Sequence, residues 1–202
     1  LGSHKEAADD YEYLLQWLSE DPTLGMIFKP KRFMDLFQRI GNTSKLIKQA
    51  EATGRCKMIH DNYGNSFSPG EVALIADTCI GKVSGVTAAL EARLIGTPTV
   101  LIDTANLYFH PFYSWATEDV LFNDWKALRS SVEQFRANPE SHPKFGDWGV
   151  ELDGMDHFQD GKASLRMGSY IGNVYDALKS GKSKQFALQS ANENFQSQLG
   201  IY

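Results

Sequence analysis

Between Lys5 and Glu20, Tyr11, Leu14, Leu15 and Leu18 recur at spacings of three and four. They share one face and predict an amphipathic helix. Asp21-Pro22 ends it, because a residue preceding proline is pushed out of the helical region. The apolar run Gly25–Phe28 predicts a short strand, followed by Lys29-Pro30-Lys31-Arg32. Helical spacing returns over Arg32–Ala52, with a break at Gly41-Asn42, and Gly54 suits the left-handed position past a helix end. Cys56–Ile59 predicts a second strand, ending at His60-Asp61.

Asn62–Asn65 reads as a turn. Ser68-Pro69-Gly70-Glu71 is a helix start, with Ser as N-cap, Pro in the first position and Glu in the third. That helix ends near Ala76. Thr78–Ile80 predicts a buried strand, Gly81–Gly85 a loop, and Val86–Ile95 a helix with Val86, Leu90 and Leu94 on one side. Gly96-Thr97-Pro98 stops the helix before a further strand, Thr99–Ile102. Strands alternating with helices over short connections predict one parallel sheet covered by helices, a Rossmann-like α/β fold.

The second half differs. Leu107–Trp115 is rich in aromatic residues, and Val120-Leu121-Phe122 suits a last edge strand. Asp124–Arg136 predicts a helix with Trp125, Leu128, Val132 and Phe135 facing inward. A Pro/Gly-bearing loop covers Asn138–Gly149. Helices over Ala163–Leu178 and Ser183–Gln198, separated by Gly181, close the chain.

Composition narrows the classes. The 202 residues are 42% hydrophobic and 22% charged, ordinary for a globular chain. A net charge of -5 lacks the basic footprint of nucleic-acid binding, so no nucleic-acid partner is expected. No apolar run approaches a membrane span, and no transmembrane segment is expected. Cys56 and Cys79 lie in apolar settings and read as buried thiols of a reducing compartment. Leu1-Gly2-Ser3-His4 resembles a cloning remnant, leaving residues 5–202 as a single domain, expected to be a piece excised from a larger protein.

In open α/β sheets ligands bind beyond the carboxyl ends of the strands. Residues following the predicted strands are therefore the candidates: Lys29, Lys31 and Arg32; His60 and Asp61; Lys82, Ser84 and Thr87; Asp103, Thr104 and Asn106. The most informative stretch is Gly81–Thr87. Free N–H groups and the positive end of the helix dipole make a helix start an anion site. Gly85 permits close approach, and Ser84 and Thr87 add hydroxyl donors, although Ser84 also suits a plain N-cap. Glu91, one turn beyond Thr87, suits either two ribose hydroxyls or solvent. Lys29 ends its strand directly and suits electrostatic stabilisation of a leaving phosphate, or simple surface charge. Side chains of neighbours such as His60 and Asp61 usually diverge, so His60 reads better as a nucleobase or loop contact than as a base. No zinc-type spacing, calcium loop or dinucleotide fingerprint is present, and no metal site is expected.

Ser84-Gly85-Val86-Thr87-Ala88-Ala89-Leu90-Glu91-Ala92 followed by Gly96-Thr97-Pro98-Thr99-Val100 resembles the donor-site segment of GT-B glycosyltransferases. Ile27–Arg32, Ala76–Gly81 and Phe158–Ala163 resemble segments of bacterial surface- and capsular-polysaccharide enzymes in the same order. The resemblance spans most of residues 24–200. It implies the C-terminal, donor-binding half of a GT-B enzyme, with no cofactor beyond a nucleotide sugar as donor substrate. It implies a glycan acceptor held by a missing N-terminal domain, and a cytoplasmic location, peripheral at the inner membrane face. The resemblance assigns donor phosphates to Ser84, Gly85, Val86 and Thr87, and the ribose to Glu91. With the strand-end reading this gives Lys29 as the catalytic candidate and Lys31, Arg32, His60 and Lys82 as further substrate contacts. Many family members carry a second Glu where this chain has Val83. A sugar-nucleotide epimerase of similar architecture and a non-catalytic nucleotide- or carbohydrate-binding module are the alternatives.

Overall fold

A computed structural model describes residues 4–30, 40–59, 67–114, 119–149, 158 and 160–199. The chain divides into two compact units, Leu1–Leu152 and Asp153–Tyr202.

The first unit is α/β. Helix α1 (His4–Glu20) leads to strand β1 (Met26–Phe28), helix α2 (Thr43–Ala52) and strand β2 (Cys56–Met58). Helix α3 (Pro69–Ala73), strand β3 (Cys79–Lys82), helix α4 (Val86–Leu94) and strand β4 (Thr99–Ile102) follow, then β5 (Leu121–Phe122) and α5 (Trp125–Ala137). All recorded pairings are parallel: β1 with β2, β3 with β4, and β4 with β5. The single sheet expected from the sequence is instead two, of order β1-β2 and β3-β4-β5. A shared core joins them: Met26 of β1 packs in one apolar cluster with Ile80 of β3 and with Val100 and Ile102 of β4.

Strand β4 explains the layering. Its four side chains are all buried, and successive residues point to opposite faces. Val100 and Ile102 meet Trp17 of α1 and Leu128 and Val132 of α5. Leu101 faces Ala89 of α4 with Phe112, Val120 and Trp148. Helices therefore cover both faces, as a central parallel strand requires. The inward face of α5 is as the periodicity predicts, with Leu128 and Val132 buried and Trp125 and Phe135 packed alongside. That of α4 is not: Ala89 and Ala92 are buried, whereas Leu94 is 39% exposed.

The reason lies in Gly81. A Cβ on Gly81 would stand 2.5 Å from the Cβ of Ala89, so α4 rests on the strand through small residues. Gly81 and Lys82 consequently continue β3 rather than open a loop, and a 3-10 turn over Val83–Gly85 makes the connection.

Local signals fix the ends. Ser68 Oγ accepts from Glu71 N at 3.1 Å while Ser68 N donates to the Glu71 carboxylate at 2.6 Å, a reciprocal capping box. Gly96, at φ 97°, terminates α4. Arg55 closes the exit of α1: its Nη1 donates to the carbonyls of Leu18, Asp21 and Leu24 at 2.8, 2.9 and 3.1 Å. Arg55→Met should cost about 2–3 kcal/mol, because three carbonyls lose a charged donor. Urea unfolding checks this, with a lowered midpoint at unchanged slope as the expected result.

The second unit contains a helical hairpin, α6 (Ala163–Lys179) and α7 (Lys184–Leu199), turned at Gly181 with φ 80°. Ala187 and Ala191 of α7 are buried. The Tyr170 hydroxyl donates to Asn192 at 2.9 Å. Asp160 accepts a two-pronged contact from Arg166 at 2.9 and 3.0 Å, which holds its pKa down at about 2.

Candidate functional site

Strand β3 delivers the chain to the carboxyl edge of its sheet, and α4 starts there. Its N-cap, Gly85, has φ -138°, and no side chain caps the helix. Ser84 therefore does not act as the N-cap. Ser84, Gly85 and Thr87 are exposed, and Val86 is half-buried against the β4 core. A Cβ on Gly85 would meet nothing within 4 Å, so neither packing nor backbone geometry demands glycine there. Val83, by contrast, is 1% exposed and belongs to the core.

Glu91 lies on the same helix, half-buried, with its backbone carbonyl 3.7 Å from where a Cβ on Gly70 would sit. Lys29 directly follows β1, half-buried. Lys31, Arg32 and His60, with Asp61, lie outside the described residues.

The recorded contacts of Lys82 are with α1 and with Thr104 beyond β4, not with the start of α4. Its ammonium contacts Glu6 at 2.9 Å, Asp10 at 2.5 Å and the Thr104 hydroxyl at 3.4 Å. Burial opposes the charged form of Lys82, but the hydrogen bonds to Asp10 and Glu6 more than offset it and hold its pKa above the usual lysine value. Asp10 also accepts from Trp125 Nε1 at 2.8 Å, and Glu6 from Thr104 at 3.1 Å. The sequence reading gave α1 only a packing role and missed Glu6 and Asp10. Their spacing of four, on one helix face, was the available signal.

Asp103 and Asn106, the other strand-end candidates, shape the following loop. Asp103 is 2% exposed and accepts from Ala105 N, Leu107 N and the Tyr113 hydroxyl. Asn106 has φ 55°, and its side chain accepts from Tyr108 at 2.8 Å. The same loop presents Tyr108 and Phe109, 60% and 84% exposed.

Two clefts of the first unit lie elsewhere. One, of about 460 Å³, is lined by Glu20, Asp21, Thr23, Glu133 and Arg136, where Arg136 is bound to Asp21 at 2.7 Å. The other, of about 440 Å³, lies beside the Lys82 cluster and is lined by Glu6, Asp10, Tyr13, Thr104 and Trp125 among others. Neither is lined by Ser84, Gly85, Val86 or Thr87, whose surface is open. Both cysteines are free, and burial pushes their thiols up to about 11. Among the described residues no group of His, Cys, Asp or Glu is arranged to hold a metal ion, and no helix is long and apolar enough to cross a membrane.

Compared with protein-family models, curated proteins and solved structures, the chain matches none. The parallel strands flanked by helices place the chain in the Rossmann-like α/β class.

Proposed function

We propose that the first unit binds a nucleotide sugar at the carboxyl edge of β3 and β4, as the donor-binding half of a GT-B glycosyltransferase in surface-polysaccharide assembly. One observation carries the reading: a parallel strand runs through an open Ser84-Gly85 turn into a helix whose first N–H groups receive no side-chain cap. Uncapped N–H groups and the helix dipole favour a phosphate there. The hydroxyls of Ser84 and Thr87 supply neutral donors, and Glu91 accepts from the ribose. In this reading Lys29 stabilises the departing nucleoside diphosphate, with Lys31, Arg32 and His60 as further contacts. A glycan acceptor would be held by a separate N-terminal domain, and the reaction would run on the cytoplasmic side of the membrane.

Glu91→Ala should weaken nucleotide-sugar binding by about 5- to 150-fold, the loss expected when ribose hydroxyls go unpaired. Isothermal titration with the folded variant tests this. Unchanged affinity removes Glu91 from the site. Binding should also survive EDTA, because the helix start and Lys29 supply the positive field without a metal. Loss of binding in EDTA, restored by magnesium or manganese, would contradict that part of the proposal.

A further inference from the structure

We propose that Lys82 and Thr104 form an anion site that the chain closes with its own Glu6, so that the first turns of α1 compete with a phosphate-bearing ligand. This rests on the preceding reading, in which the ligand's phosphates lie at the start of α4.

Lys82 is the last residue of β3, and Thr104 follows β4 by two positions, so both donors stand at the carboxyl edge. They converge on a single atom. Glu6 Oε1 accepts from Lys82 Nζ at 2.9 Å and from Thr104 Oγ1 at 3.1 Å. An ammonium and a hydroxyl meeting on one anionic oxygen is the donor set that a phosphate oxygen would use. The two carboxylates are held differently. Asp10 is fixed by Trp125 Nε1, and its side chain is 10% exposed, as befits a built-in counter-ion. Glu6 lies in the first turn of α1, and its side chain is 21% exposed.

The Glu6–Lys82 pair keeps some solvent access, with the Lys82 and Glu6 side chains 34% and 21% exposed, so the carboxylate stands where an incoming anion can reach Lys82. A ligand carrying two or more negative charges, anchored also at α4, can therefore displace the carboxylate. A cleft of about 440 Å³, lined by Lys5, Glu6, Asp9, Asp10 and Thr104 among others, opens beside the cluster. Lys82 immediately precedes Val83–Gly85 in the chain, so the cluster and the start of α4 share the carboxyl edge of β3.

Inorganic pyrophosphate, titrated calorimetrically into the whole chain, tests the proposal. Glu6→Gln keeps the side-chain shape and should bind pyrophosphate at least about 10-fold tighter than the parent, equivalent to about 1.4 kcal/mol. Glu6→Ala, a second variant, should show the same gain. Adding Lys82→Met should abolish it. Asp9→Asn removes one charge from the same cleft but leaves Glu6 on Lys82 and Thr104, so it should give a clearly smaller gain than Glu6→Gln.

No gain in folded Glu6→Gln or Glu6→Ala, or an equal gain in Asp9→Asn, overturns the proposal. Gly85→Val in the Glu6→Gln background separates this inference from the function it rests on. A gain that survives Gly85→Val but not Lys82→Met keeps the Lys82 site and removes the start of α4 as the phosphate position. Conversely, nucleotide-sugar binding that depends on Gly85, with no gain from Glu6→Gln, keeps the function and sinks the competition.

Discussion

Gly146→Ala should destabilise the first unit by about 3–5 kcal/mol, lowering the melting temperature by on the order of 10 °C. Two effects act together. Gly146 has φ 64°, a region that costs a residue with a Cβ about 1–2 kcal/mol. An added Cβ would also lie 2.5 Å from Thr99 N and 2.9 Å from Pro98 C, and both are backbone atoms that cannot rotate away. The strand must then move, yet its bonds fix it: Thr99 N donates to Gly146 O at 3.2 Å, and Gly146 N to Asp119 O at 3.0 Å. Trp148 Nε1 adds a 2.7 Å bond to Thr99 O. Differential scanning calorimetry checks the value. A shift below about 2 °C would mean that the Pro98–Thr99 junction yields easily.

Gly81→Ala should cost about 1–3 kcal/mol by overpacking, because its Cβ meets that of Ala89 at 2.5 Å and Leu101 Cδ2 at 3.3 Å. The discriminating variant is the double one. Ala89→Gly alone costs about 1 kcal/mol through helix propensity. In the Gly81→Ala background it should recover most of the clash, giving a coupling of about 1–2 kcal/mol. Additive effects would show that α4 shifts away from the strand instead of pressing on it. That contact also sets where α4 begins relative to the end of β3, so the pair bears on the candidate site.

The sequence showed the parallel strands plainly, because the runs around β1, β2, β3 and β4 are apolar, short and bounded by Gly, Pro or Asp. Caps were equally legible: Ser68 with Glu71, Gly54, Gly96 and Gly181 are local signals read over three or four residues. The division into two sheets was not, since pairing between β1 and β3 depends on tertiary packing rather than on either strand's pattern. The end of β3 was misplaced because glycine normally punctuates, whereas Gly81 is in the strand to admit Ala89. A leucine-based periodicity placed Leu94 inward for the same reason: the buried face of α4 is made of alanines, whose small size carries little signal. At the candidate site, the Ser84–Thr87 turn was readable as strand-to-helix geometry. The partners of Lys82 were not, because they lie 76 and 72 positions away on a helix that reads as a packing element.

The central claim is that the open turn at Ser84-Gly85 takes the phosphates of a nucleotide sugar. A thermal-shift panel of UDP-, GDP-, ADP-, dTDP- and CMP-sugars, run on the parent chain and on Gly85→Val, tests it most directly. A ligand at about 100 times its Kd that binds only the folded state adds about 2.7 kcal/mol, which here means a rise of about 5–10 °C. Gly85 has an unstrained φ and open space around it, so valine should leave the fold intact while its side chain blocks close approach. The account predicts a rise with at least one member of the panel in the parent and none with that ligand in folded Gly85→Val. No rise with any member, or an equal rise in the variant, would contradict it.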